Sequence, residues 1–544
     1  ASLRLIPNSS SRRQAPARTP SPSPSKAAAI SSREISALDS AGQVVSFDER
    51  AKPPSGSHPS VSLNNAPIVP AHSPPSVPLS SRSAILLDDD DDTSSAPFCD
   101  VAHPEHTVGL RVCALPEDPG YTLFAPMSST RTWLLDPLGR AVHSWDGSGL
   151  PQASVYLLPN GHLLRMTDDP GATFGAQSGG RLEEYDWDGD LVWSFDYSTD
   201  RVISHHDVEP LPNGNYVLVA FEKKSTAEAT AAGRNPANLS PDGEMHPDHV
   251  VEIDPRTDEI VWEWHVWDHL VQSFDADQDN FGSISANPRA LNVNVGQLQM
   301  GGDWTHVNSV AYNAELDQLM LSSAFMNEFW IIDHGTTTGE AASSSGGRYG
   351  VGGDFLFRWG SPAIYSDQDL PAHVQTLHDV QWIAPGLPGA GNALVFNNRM
   401  GSGPSQVIEL ALPVGPDGDY PLPSAGPWGP DEPVWSYEAD DFFSPIVSGA
   451  QRLPSGNTLI SEGVTGRMFE VTPEGETVWE YINPDVGGTP LRQGETPPVE
   501  LQGPFGTVYA NWIFRAERYP SDYSGLAELG TSVPGAQIEG PATD

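Results

Sequence analysis

Apolar and polar positions alternate with period two in short runs from about residue 120 to about residue 520, and Gly-, Asn- and Pro-bearing turns separate the runs. The clearest cases are SVYLLPNGHLLRM from Ser154, HDVEPLPNGNYVLVAF from His206 and AQRLPSGNTLISE from Ala450. Each reads as two short strands joined by a tight Asn-Gly-type turn. A second pattern closes the units with an acidic residue, a turn and a Trp-bearing strand: LEEYDWDGDLVWSF from Leu182, VVEIDPRTDEIVWEW from Val250, VIELALP from Val407 reaching PVWSY at Pro433, and MFEVTPEGETVWEY from Met468. Two diverged units keep the same order. They are HVNSVAYNAELDQLMLSS from His306 with FWIID from Phe329, and HDVQWIAPGLPGAGNALVFNN from His378. Another strand group, from Tyr121 to Trp145, precedes them all.

Without helical periodicity, these patterns predict an all-β chain. About six units of about four strands each, joined by long insertions, predict a six-bladed β-propeller. A β-sandwich array also uses short alternating strands, but the shared grammar of the units favours radial repetition. The strand VYANWIFRAERY from Val508 is placed to pair with the first unit and close the ring. The propeller is expected over residues 98–522, with 523–544 as a loose tail. Residues 1–97 are Ser-, Pro- and Ala-rich, lack apolar periodicity, and are expected to be disordered. Arg4, Arg12, Arg13, Arg18, Lys26 and Arg33 fall there before any acidic residue, as in organelle transit segments; a linker is the simpler reading because no apolar core precedes them.

Charge narrows the partners. Lys and Arg number 28 against 71 Asp and Glu, a formal −43, which repels nucleic acid and anionic membranes. No stretch approaches the ~18 consecutive apolar residues of a membrane span. The two cysteines, Cys99 and Cys113, form either one staple across a short loop or two free thiols.

Repeat register turns sequence position into spatial position. His206, His306 and His378 occupy one place, just at the start of the innermost strand, in three successive units. Propeller geometry therefore converges them on one axial pocket. Such a trio can hold a metal, supply a nucleophile with an acid–base partner, or tie blade to blade through the Asp207 and Asp379 that follow two of them. Three histidines in register favour a site over a purely structural role.

The motifs HHDVEPLPNGN from His205, GDWTHVNSVAYN from Gly302, EFWIIDH from Glu328, GDFLFRWGSP from Gly353, LHDVQWI from Leu377 and EGVTGRMFEVTPEGETVWEY from Glu462 resemble bacterial aryl-sulfate sulfotransferases. The resemblance covers about residues 120–520. It implies a six-bladed propeller that moves a sulfuryl group from a phenolic sulfate ester to a phenol through a sulfated histidine, with no nucleotide donor, no metal and no other cofactor. By that resemblance His378 is the histidine that is sulfated, His306 and His206 contact the transferring group, and Asn308 is a polar contact beside them. Export from the cytoplasm is the family's expectation. The family's arginine on the strand after the DWTHVNS motif falls here on Ala324, leaving Arg399 and Arg467 as candidate substitutes. A weakened or inactive propeller that only binds ligands is the alternative.

Other motifs carry less. Asp275, Asp277 and Asp279 open like a calcium loop, but Ala286 stands where a bidentate Glu is needed, so a solvated loop is expected. Asn8 and Asn238 fit a glycosylation pattern short enough to arise by chance. His205 is expected to flank the site, and His249 and His265 to be blade residues. Trp193, Trp262, Trp264, Trp435 and Trp479 recur at one blade position and read as packing.

Overall fold

A computed structural model describes residues 98–542, apart from 175–178, 242, 297, 299, 300, 367, 425, 504, 505 and 531–534. The segment 1–97, expected to be disordered, and Asn8 within it lie outside the described residues. Six small antiparallel sheets form a six-bladed β-propeller. From the axis outward, blade 1 is Ile513–Tyr519, Tyr121–Pro126, Arg131–Leu135 and Arg140–Asp146. Blades 2 to 6 begin at the axis with Pro151–Leu157, Val202–Pro210, Val307–Asn313, Leu377–Trp382 and Ser448–Arg452, and each continues outward in chain order. Ring closure follows the expectation. The late strand pairs antiparallel with the first, Tyr121 opposite Tyr519 and Phe124 opposite Ala516, so its innermost position is filled from the far end of the chain.

The Pro-Asn-Gly and Pro-Ser-Gly stretches form one turn three times. Leu158, Leu211 and Leu453 each donate an N–H to the carbonyl four residues on, at 2.7, 2.8 and 2.9 Å. Gly161, Gly214 and Gly456 take φ of 87°, 85° and 89°, a left-handed backbone that glycine adopts without Cβ strain. Asn160 and Asn213 accept the N–H two residues on, and the Ser455 hydroxyl does the same for Asn457.

The outermost strands carry the second half of the grammar. An indole N–H from each reaches the turn between the third and fourth strands of the next blade. Trp145 donates to the Asp186 carbonyl at 2.9 Å, and Trp193 to Asp258 Oδ1 at 2.9 Å. Trp262 donates to the Thr336 hydroxyl at 3.1 Å, and Trp359 to the Pro430 carbonyl at 2.8 Å. Trp435 reaches the Pro473 carbonyl and Trp479 the Pro137 carbonyl, each at 2.8 Å. The recurrent tryptophans thus pack the blades and also stitch each to the next, all the way round. Each bond contributes about 1 kcal/mol beyond the buried ring area.

The chain ends add to blade edges. Strands Cys99–Ala102 and Gly109–Leu115 extend blade 6 outward by pairing on Thr477–Ile482. Of the two alternatives for the cysteines, the staple is the one formed: Cys99 is bonded to Cys113 across this hairpin. The described residues beyond 522, expected to be a loose tail, dock at two points. Leu526 is buried against blades 1 and 2, and Ala536–Gln537 pairs with the outer strand of blade 1. The apolar residues of this stretch are too few and too irregularly spaced to show a period, and the anchors come from distant blades.

Candidate active site

The inner strands of blades 3, 4 and 5 all break register where the histidines lie, between Ser204 and Val208, between Val307 and Ser309, and between His378 and Gln381. His206, His306 and Asp379 have φ of 59°, 48° and 50°. A left-handed backbone costs a non-glycine residue roughly 1–2 kcal/mol, and bulges of this kind re-aim side chains. Here they bring the three predicted histidines together. The rings of His206 and His306 lie 4.7 Å apart, and Phe514 of the closing strand lies 6.0 Å from His206 and 6.3 Å from His378.

Each ring is held by a different partner. Asn398 donates its amide to the Ser444 carbonyl at 2.6 Å and the Ser448 hydroxyl at 3.0 Å, so its oxygen faces His378 Nδ1 at 2.8 Å. That oxygen only accepts; His378 Nδ1 therefore carries the proton and Nε2 keeps its lone pair. Burial, reinforced by His306 and Arg515, pulls His378 down to about 3, so the imidazole is neutral at physiological pH.

His306 is the opposite case. Burial pulls it down, but the charge and hydrogen bond of Asp303, 2.6 Å from Nδ1, together with Asp248, hold it above the ordinary histidine value. Its ring also stacks on Phe325 at 4.4 Å.

His206 is pushed well below the ordinary value, first by burial and then by the three neighbouring histidines. Its Nδ1 lies 2.7 Å from Nδ1 of His205, so one proton is shared there and Nε2 is left for a ligand. His205 flanks the site as expected. It is fully buried, stacks on Phe221 at 3.6 Å, and sits with Nε2 2.8 Å from Asp248 Oδ1, a contact too bent for a good hydrogen bond. Asp248 in turn accepts the Val307 N–H at 2.9 Å, tying blade 3 to blade 4 beside His306.

Beneath the histidines a single guanidinium joins the blades. Arg515, on the closing strand, donates to Asp379 Oδ1 at 2.7 Å, to Asp207 at 3.1 and 3.2 Å, and to the Tyr156 hydroxyl. Asp207 also accepts the Val310 N–H of blade 4 at 3.0 Å, and Asp379 the Ala450 N–H of blade 6 at 2.9 Å. The His-Asp steps therefore do tie blade to blade, and the arginine completes the circuit through all six. Past this hub, toward the other end of the inner strands, lies a cavity of about 490 Å³. Glu209 and Glu517 line it, both raised to about 8, chiefly by burial.

The remaining predicted residues each have partners of their own. Arg399 pairs with Glu438 at 2.5 Å within blade 5. Arg467 pairs with Glu462 at 3.1 Å and Glu480 at 2.7 Å within blade 6. Arg467 places two nitrogens on carboxylates of its own blade, and Arg399 places one. Asn308 is fully buried, its amide donating to the Leu377 carbonyl at 2.9 Å and its oxygen accepting from Ser322. It links blade 4 to blade 5 next to His306. Ala324 lies buried beside the same histidine, its N–H donating to the His306 carbonyl at 3.0 Å.

Sequence reading missed Asp303, Asn398 and Arg515. The first had a local signal, sitting three residues before His306. Asn398 adjoins Arg399, which drew the attention. Arg515 had no local signal, because its partners come from strands far back in the chain.

The sequence model of the family described as "Arylsulfotransferase (ASST)" matches residues 124–340, which include His206 and His306 and stop short of His378. Arylsulfate sulfotransferase AssT of Escherichia coli O6:H1 is 23% identical over 345 residues, 57% of this chain and 53% of that protein. The chain thus aligns with about half the length of this curated relative. Among solved structures, a protein of unknown function from Bacteroides caccae shares 10% identity, covers 73% of this chain and 98% of its own, and superposes with a TM-score of 0.36. The WD40 domain of Toxoplasma gondii coronin shares 9%, with 73% and 75% covered and a TM-score of 0.33. Superpositions that weak carry no argument, and the six blades stand on the strand pairings. The family match runs from blade 1 to blade 4, and over those blades the chain is similar to arylsulfotransferases.

Proposed function

We propose that the protein transfers a sulfuryl group from a phenolic sulfate ester to a phenol, with His378 as the transient carrier. The observation that carries this reading is the neutral His378, whose Nε2 lone pair is set free by Asn398 within reach of two further histidines. In the first step Nε2 attacks sulfur, the N–S bond forms, and the S–O bond to the aryl group breaks. The departing phenolate takes a proton from the His306 imidazolium, which Asp303 sustains. In the second step neutral His306 accepts the proton of the incoming phenol; the phenolate attacks sulfur, the N–S bond breaks, and His378 is restored. Nε2 of His206 faces the sulfuryl oxygens in this scheme. Phe325, Phe221 and Phe514 around the histidines suit an aromatic ring.

The test is incubation with a chromogenic aryl sulfate without acceptor, then with added phenol. Expected are a stoichiometric burst of released phenol, a sulfuryl-sized mass increase on the peptide carrying His378, and its loss when acceptor is added. Absence of both burst and adduct in folded protein overturns the reading. One observation favours a second reading: the residue beside His306 at this position is Ala324, which offers no guanidinium, as in a propeller that binds aryl sulfates without turning them over. Binding without release would support it. The Cys99–Cys113 disulfide fits an oxidising compartment and so an exported protein.

A pH profile tests the role of His306. A histidine raised above its ordinary value is charged below that raised pKa and loses its proton as pH rises through it. Transfer should therefore fall on the alkaline side. Asp303→Asn removes the main raising influence, so the falling limb should move to lower pH and the rate at neutral pH should drop roughly 10- to 100-fold. An unmoved limb would rule out the Asp303–His306 pair as the proton donor.

A further inference from the structure

Outside the channel, the hairpin that the disulfide staples onto blade 6 carries three metal-ligating side chains in its loop. Ligand atoms of His103, Glu105 and His106 all lie within 4.8 Å of one another. His103 Nδ1 is 3.6 Å and His106 Nε2 4.0 Å from Glu105 Oε1, and the two imidazoles stack at 4.3 Å. His106 Nδ1 is 2.9 Å from the Leu110 carbonyl. A carbonyl only accepts, so Nδ1 is the protonated nitrogen and the lone pair sits on Nε2, the atom that faces Glu105. This carbonyl-to-imidazole bond is the outer support that metal-binding histidines characteristically have.

The loop is pinned from several sides. His106 N–H donates to the His103 carbonyl at 3.0 Å, closing a turn. Gln493 accepts from Thr107 N–H at 3.1 Å and donates to the Val108 carbonyl at 2.7 Å. The Arg111 guanidinium donates to the Pro104 carbonyl at 3.4 Å, and the Cys99–Cys113 bond holds the open end. With the backbone already ordered, binding has only the three ligand side chains left to fix.

We propose that His103, Glu105 and His106 form a site for one transition-metal ion of the Zn²⁺, Cu²⁺ or Ni²⁺ type, with water completing the coordination. Two neutral imidazoles and one carboxylate match the ligand preference of these ions. Three donors with a single carboxylate are too poor in oxygen for Ca²⁺ or Mg²⁺. Binding requires the half-buried, stacked rings to turn toward one another until both nitrogens reach the ~2.0–2.1 Å that Zn²⁺ requires. The ion would clip the loop shut at the end opposite the disulfide.

Calorimetric titration of the full chain with Zn²⁺ tests this. One ion is expected to bind in wild type, with affinity reduced on the order of tenfold or more in His103→Ala and in His106→Ala, and less in Glu105→Gln. His378→Ala should bind as wild type does, which separates this site from the channel histidines. With Cu²⁺, electron paramagnetic resonance should show coupling to two imidazole nitrogens, lost in either histidine variant. No binding in wild type, or isotherms unchanged in both histidine variants, overturns the proposal. Circular dichroism confirms that the surface variants are folded.

Discussion

His378→Ala is expected to abolish sulfuryl transfer, by roughly 10³-fold or more, because removing a covalent nucleophile commonly costs 10³–10⁶. Fold and substrate affinity should survive, since His378 contributes a single side-chain bond, to Asn398. A companion variant separates nucleophile from support. In Asn398→Leu the imidazole remains, but nothing dictates which nitrogen keeps the proton, and the Ser444 and Ser448 contacts are lost. Its rate should lie between wild type and His378→Ala, about 10- to 100-fold down. Burst kinetics with an aryl sulfate read both. A full burst in His378→Ala would move the covalent step elsewhere and sink the assignment.

Arg515→Leu should be the most destabilising single change in the channel. The guanidinium is almost wholly buried and pushed well above its ordinary pKa, since Asp207 and Asp379 outweigh the cost of burial. Taking away one partner of a buried ion pair costs about 3–5 kcal/mol, because the other charge is left without compensation. Here two carboxylates would be stranded, each already accepting a backbone N–H from a neighbouring blade. The midpoint of denaturant unfolding should fall accordingly. A triple variant, Arg515→Leu with Asp207→Asn and Asp379→Asn, should recover part of the loss by removing the stranded charges. An unchanged midpoint in the single variant would mean that the circuit does not hold the blades.

This hub also explains why the site resists reading from sequence. Asp207 and Asp379 were visible as neighbours of His206 and His378, with a role in tying blades as one alternative. What they grip was not visible. Val310 and Ala450 lie in other repeats, and Arg515 arrives on a strand from the far end of the chain. The same holds for the arginines chosen as substitute donors. Arg399 and Arg467 sit in turn-bearing motifs that look free in one dimension, yet each is claimed by a glutamate brought alongside by strand pairing. Asn308 likewise has its amide engaged across two blades.

By itself the sequence determined the all-β class, the number of blades, the left-handed glycine turns, the closing strand and the three histidines in register. All of these follow from local periodicity and from repeats that place equivalent residues at equivalent points of a ring. Only the tertiary structure decided which ring nitrogen of His378 is free, which histidine is held above its ordinary pKa, where the buried charges are balanced, and how the indoles join the blades. Those are properties of contacts between residues tens to hundreds of positions apart, and burial sets their electrostatic strength.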